Sequence, residues 1–203
     1  MKNKKSFTFV ETLVVISVLG LVFPILFSTF FVILRQQLKI NRLTEVKRQG
    51  DSIVRILDEM IKNNAYKIYD DTDTEICDAG GSFPEGTPAY FLDKYNSRFS
   101  FKIIIIDDVD NYEQNLETVY DVPPFPAPTF AFPSGKLNNT RVMIPESSYV
   151  ISCNRKTTYS APVININFLI CYKVNRSCDS AKPEESALLE YQTNIKLRSY
   201  PIQ

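Results

Sequence analysis

The sequence predicts an α+β fold: a long N-terminal helix, half apolar and half amphipathic, packed on a C-terminal domain of antiparallel β-strands. Three observations carry this. Thr12 to Leu34 are 23 consecutive residues without a charge. From Leu43 to Ala65 apolar residues recur at three- and four-residue steps, the period of one helix face. Beyond Ala65 the period falls to two, the mark of strands with one buried side.

The apolar run comes first. A helix needs about 20 predominantly apolar residues to cross a bilayer, and this run is long enough. Gly20 and Pro24 interrupt it; proline removes one helical hydrogen bond and bends the rod, but membrane helices tolerate it. In the next segment Leu43, Val46, Gly50, Ile53, Leu57, Met60, Ile61 and Ala65 mark the buried face. Glu45, Lys47, Arg48, Asp51, Arg55, Asp58, Glu59 and Lys62 mark the solvated one. With no other break, the two halves read as one helix from about Phe7 to about Asn64, roughly 85 Å long. Residues 7–35 form the apolar half and 36–65 the amphipathic half.

Residues 66–203 form the β-rich part. Ala89–Tyr95 and Arg98–Asp107 flank Asn96-Ser97 and predict a hairpin with Phe99, Phe101, Ile103 and Ile105 on one face. Val163–Val174 alternates cleanly, placing Ile164, Ile166, Phe168, Ile170 and Tyr172 together. Arg141–Ile144, Tyr149–Cys153 and Leu188–Leu197 are further strands. Val122–Pro133 is too rich in proline for a central strand and reads as an extended surface loop whose phenylalanines tuck into the domain.

Composition narrows the chemistry. Basic and acidic residues balance at 23 each, against a dedicated nucleic-acid binder. Histidine is absent, which removes the commonest general base and metal ligand. An anchored enzyme would need a carboxylate pair or a Ser/Lys dyad, and no neighbourhood proposes one; we expect no catalysis and no cofactor. Two acidic clusters invite a calcium test: Asp70, Asp71, Asp73, Glu75 and Asp78, then Asp107, Asp108, Asp110 and Glu113. Neither has the glycine and terminal glutamate of an EF-hand loop, so solvated turns are expected and no metal site.

Cys77, Cys153, Cys171 and Cys178 all lie beyond the apolar run. An even count on one side of a span fits an oxidising compartment and two disulfides. Three pairings are possible, and sequence alone does not choose. Cys171–Cys178 ranks first because the two are local and flank the turn-like Asn175-Arg176-Ser177, leaving Cys77–Cys153. Four reduced thiols in a cytoplasmic domain is the competing reading; zinc lacks a C-x-x-C pair.

One residue breaks the apolar pattern at its entrance. Glu11 lies in Ser6-Phe-Thr-Phe-Val-Glu-Thr-Leu-Val-Val-Ile16, after the basic Met1-Lys-Asn-Lys-Lys5. An acid in the bilayer costs roughly 2.5–3.5 kcal/mol on insertion scales, so it needs a partner or a function. This stretch resembles the class III signal of type IV pilins and pseudopilins: a short basic leader, a cut before Phe, then Thr, two apolar residues and Glu. The resemblance implies a leader at residues 1–6, cleavage between Ser6 and Phe7, N-methylation of Phe7, and a lollipop-shaped subunit. Ser6 stands where the family has Gly, and serine is small enough for the peptidase. The family's acidic position falls on Glu11, implying pairing with the Phe7 amine of a neighbouring subunit; the alternative is a carboxylate that caps the helix N-terminus, where it suits the dipole.

Implied partners are a prepilin peptidase, other pilins or pseudopilins, an inner-membrane assembly platform and membrane lipid. Tyr191–Tyr200 and Arg48–Glu59 loosely resemble W-type minor pilins and J-type minor pseudopilins. Lysines before the span and five basic residues after it leave charge counting ambiguous; the cysteines and the motif favour a cytoplasmic N-terminus and an extracytoplasmic domain. The rival from another class is a permanently anchored extracytoplasmic binding protein or adhesin.

Overall fold

One α-helix, α1, runs unbroken from Phe9 to Asn64, through both Gly20 and Pro24. The structure is a computed structural model that describes residues 8–77, 89–93, 97–108, 112–121, 135–157, 160–178 and 185–197. The expected leader, Ser6 and Phe7 lie outside the described residues, as does the Pro-rich 122–133 stretch. Helix α1 stops at Ala65, whose N–H reaches Ile61 O at 2.9 Å while its own backbone turns extended.

Among the described residues nine antiparallel strands follow, in two sheets. The first orders β1 (Lys67–Asp70), β2 (Ala89–Leu92), β3 (Arg98–Asp107), β4 (Tyr112–Asp121) and β5 (Gly135–Lys136) side by side. The second centres on β8 (Val163–Tyr172), with β9 (Leu188–Lys196) on one edge. Two shorter strands, β6 (Val142–Met143) and β7 (Val150–Asn154), share β8's other edge. The layout is a lollipop: a bare helical stem leading into a helix-on-sheet head.

The helix joins the head along the face its periodicity predicts. Val46, Gly50, Ile53, Leu57, Met60 and Ile61 are buried in one core with Ile164, Ile166, Phe168, Ile170 and Ile195 of the second sheet and Phe91, Phe99, Phe101 and Leu116 of the first. Each such side chain contributes roughly 1.5–3 kcal/mol on burial. In β3 the predicted face is deeply buried only at Phe99 and Phe101; burial fades toward the β3–β4 turn, where Ile105 is 43% exposed. That ribbon runs past the elements covering its base.

Closest approach falls at Gly50. A Cβ placed there would collide with the Tyr191 ring of β9. That ring is stacked on Phe168 at 5.4 Å, and its hydroxyl donates to Lys47 O at 3.1 Å and Asp51 Oδ1 at 3.0 Å. Burial first, then the Asp51 carboxylate, pushes the phenol up to about 12, so it remains a donor at neutral pH. Gly50→Ala should therefore cost about 1–3 kcal/mol by overpacking, read as a lower urea midpoint at unchanged m-value. Adding Tyr191→Leu should make the pair less than additive; additive losses would mean the contact does not govern the fit.

Two disulfides tie the head. Cys77–Cys153 links the segment after β1 to β7, and so one sheet to the other; Cys171–Cys178 closes the loop after β8. Arg176, inside that loop, reaches Asp107 Oδ1 at 3.3 Å and Asp108 O at 3.2 Å, and Lys173 Nζ reaches Tyr112 O at 2.7 Å. The second sheet thereby grips the β3–β4 end of the first.

Candidate functional site

The stem is the unusual surface. Every residue from Thr8 to Asn41 is exposed, including Phe9, Leu13, Ile16, Leu21, Phe27, Phe30 and Ile33. The largest apolar patch on a soluble monomer is typically about 300–600 Å², and a bare apolar helix of this length exceeds that several-fold. Its length and composition suit a membrane span, and none of its apolar window is buried inside the molecule. The stem is compatible with a single-pass membrane anchor.

Several of its hydroxyls are satisfied from within. Thr12 Oγ1 donates to Thr8 O at 3.3 Å, Ser17 Oγ to Val14 O at 2.9 Å, and Thr29 Oγ1 to Ile25 O at 2.9 Å. Unpaired hydroxyls in hydrocarbon would each cost several kcal/mol. Pro24 has no N–H for the carbonyl four residues back, and that carbonyl is Gly20's. Pairing the proline with glycine, which has open space around it, leaves room at the weakened rung.

Glu11 sits in the first turn. Its Oε2 accepts from Thr8 N at 2.8 Å and Thr8 Oγ1 at 2.9 Å, while Glu11 N donates back to Thr8 Oγ1 at 3.4 Å. This is a reciprocal capping box, satisfying two otherwise orphaned helix donors. The carboxylate also lies at the positive end of the helix dipole. Thr8-x-x-Glu11 was the spacing that announces such a box, and sequence reasoning went only as far as a generic cap. The N–H that Glu11 accepts belongs to the peptide bond following Phe7, so the acid lies one residue from the predicted cleavage point.

Below the head the helix becomes basic. Arg42 lies over the Tyr172 ring at 5.1 Å. Glu45 bonds Arg48 at 2.8 Å and accepts from Asn139 Nδ2 at 2.7 Å; the Asn139 amide, ahead of Arg48, holds the Glu45 carboxyl below its usual range. These contacts fix the angle between stem and head.

The acidic clusters resolve differently from each other. Asp70 Oδ1 accepts from Thr72 N and Thr74 N at 3.0 and 2.8 Å. Asp73 pairs with Arg98 and Tyr90, and Glu75 with Lys67. Asp78 and Asp110 lie outside the described residues. Arg176 engages both Asp107, the last residue of β3, and Asp108, and both are exposed. Glu113 is not: it is 4% exposed inside β4, 2.6 Å from Lys136 Nζ and 2.8 Å from Asn115 Nδ2. Reading it as a solvated turn residue is corrected by this burial. Among the described residues no group of three or more Cys, Asp or Glu is placed to hold a metal.

Of the residues singled out from sequence, Glu11 stands at the far end of the stem and the cysteines in the head; the fold does not bring them together. No known protein family, curated protein or solved structure matches the chain.

Proposed function

We propose that this chain is a minor type IV pilin or pseudopilin, a structural or priming subunit of a filament. In this reading a prepilin peptidase cuts between Ser6 and Phe7, Phe7 is N-methylated, and an inner-membrane platform passes the subunit from the bilayer into the filament or its tip. The observation that carries it is the stem: an exposed apolar helix with one acid in its first turn, continuous with the helix that packs in the head. Apolar stems of this kind can exchange lipid for the stems of neighbouring subunits without unfolding. Two disulfides in the head support an extracytoplasmic domain and a cytoplasmic N-terminus.

One observation favours a second reading, a permanently anchored extracytoplasmic binding protein or adhesin. Glu11 is already satisfied by Thr8 of its own chain and needs no neighbour to be stable at the membrane boundary. Intact-mass measurement on membrane-extracted protein separates the two. With active prepilin peptidase we expect loss of Met1–Ser6 and a methylated Phe7; retention of Lys2, Lys4 and Lys5 would reject the pilin reading in favour of the anchor. Ser6→Gly should process at least as well, whereas Ser6→Lys puts a charged side chain at the cut and should block it.

A further inference from the structure

Strand β4 holds a carboxylate and a carboxamide in its interior, and β5 brings an amine to them. Glu113 and Asn115 are two residues apart in β4 and so share one face of it. Lys136 of β5 is paired in register with Glu117, on that same face. Its ammonium passes that acid and donates to Glu113 Oε2 at 2.6 Å. The lysine stem therefore runs along β4, across Asn115. Asn115 Nδ2 donates to the same Oε2 at 2.8 Å. One carboxylate oxygen thus holds both the amine and the amide, which puts their nitrogens within roughly 5.5 Å of each other.

The other end of the amide is engaged as well. Asn138 Nδ2 donates to Asn115 Oδ1 at 3.0 Å. Asn138 is itself fixed: its Oδ1 accepts from Leu116 N at 2.8 Å, and its Nδ2 also reaches Val142 O at 3.1 Å. Ile104 and Ile106 of β3 stand opposite Asn115 and Glu113 and flank the group with apolar surface. Glu113, Asn115 and Asn138 are all buried, whereas the Lys136 side chain is 41% exposed. An ion pair needs only the lysine and the acid. It does not call for a buried carboxamide on the same oxygen, with its carbonyl held by a second donor.

We propose that Lys136 and Asn115 join in an intramolecular isopeptide bond, with Glu113 as the proton carrier. Glu113 takes a proton from the Lys136 ammonium, and the freed amine attacks Asn115 Cγ. Negative charge gathers on Oδ1, where the Asn138 N–H already lies, as in an oxyanion hole. The Nζ–Cγ bond forms and the Cγ–Nδ2 bond breaks, while Glu113 passes its proton to the departing nitrogen. Nζ keeps one hydrogen, its surplus proton leaves with the ammonia as ammonium, and Glu113 ends as the carboxylate it began as. Nothing is oxidised or reduced, and no co-reactant enters. Holding amine, acid and amide together takes the place of an external catalyst, and the open side of Lys136 gives ammonia its way out. The product ties β5, only two residues long, covalently to β4. The proposal goes beyond the pilin reading and is independent of membrane insertion, leader cleavage and filament assembly.

The test is mass spectrometry on the full chain purified from membranes, with its disulfides reduced and alkylated. Wild type should be one ammonia lighter than its sequence, and proteolysis should release a branched peptide joining Lys136 to Asn115. Lys136→Arg keeps a cation beside Glu113 but holds its protons too firmly to attack, and should show the full mass. Glu113→Gln keeps both reacting groups and loses the proton carrier, which should slow the step about 100-fold or more and leave freshly made protein unlinked. Wild-type protein at full mass would overturn the proposal. So would an ammonia loss that persists in Lys136→Arg, because it would then arise at another amide. A link that forms undiminished in Glu113→Gln would overturn the role given to the acid. Loss or retention of residues 1–6 changes only the N-terminal peptide, so a processing experiment that rejects the pilin reading leaves all of these outcomes standing.

Discussion

Replacing Cys77 and Cys153 together by serine should destabilise the head by about 4.5 kcal/mol, the loop-closure entropy for the separation of 76 residues that this bond spans. The same relation gives about 2.4 kcal/mol for Cys171–Cys178, whose ends are 7 residues apart. The larger figure is a large share of the 5–15 kcal/mol typical of a domain. Position reinforces the ranking. Cys77 and Cys153 are each 2% exposed, whereas in the other pair only Cys171 is buried and Cys178 is half-exposed, so serine at the first pair buries two hydroxyls that must find partners. Their bond joins the two sheets directly, whereas Arg176 and Lys173 continue to hold the loop after β8 against the first sheet. Urea unfolding of the purified full chain, oxidised and with each pair replaced, measures both losses. A Cys171/Cys178 variant that falls further than Cys77/Cys153 would mean that sheet-to-sheet linkage is not the main work of the disulfides.

What could be read ahead of the structure follows from where apolar pattern and burial coincide. The second half of α1 was legible because the sheets cover it along one side, so one stripe from Val46 to Ile61 is buried and nothing else is. Strand β8 was legible for the same reason: Ile164, Ile166, Phe168 and Ile170 face the core and asparagines alternate with them at its start. Strand β4 gave no such signal. Its buried positions include Glu113, Asn115 and Thr118, and its interior is made habitable by Lys136 and by Asn138. The Asn138 amide donates to Asn115 Oδ1 at 3.0 Å, and its carbonyl oxygen accepts from Leu116 N at 2.8 Å. A strand stabilised by a polar network has no two-residue apolar period, and its partners lie more than twenty residues away. Strands β1 and β5, at four and two residues, are too short for any period. At the stem, Glu11 stood out as a lone acid, but its reciprocal bond with Thr8 depends on Thr8 being the N-cap, and the apolar run alone did not place that boundary.

The capping box sharpens what a change at Glu11 would reveal. Glu11→Ala should leave membrane insertion intact, since losing an acid makes the span more apolar. Leader cleavage should also survive. Incorporation into filaments should fail if the carboxylate neutralises the Phe7 amine of a neighbour, because breaking a buried ion pair typically costs about 3–5 kcal/mol, or roughly two to four orders of magnitude in occupancy. Alanine, however, also removes the bonds to Thr8, worth about 1 kcal/mol as a cap. Glu11→Gln separates the two effects. Glutamine can still accept from Thr8 N, as it does in other capping boxes, but it brings no charge to the amine. With inter-subunit neutralisation, Glu11→Gln should be nearly as defective as Glu11→Ala when sheared filaments are compared with membrane-bound protein. With capping alone, Glu11→Gln should enter filaments at wild-type levels while Glu11→Ala shows only a modest loss. That second pattern would leave the acid a local device of the helix start, and the register of subunits would then have to come from the apolar surfaces of the stems themselves.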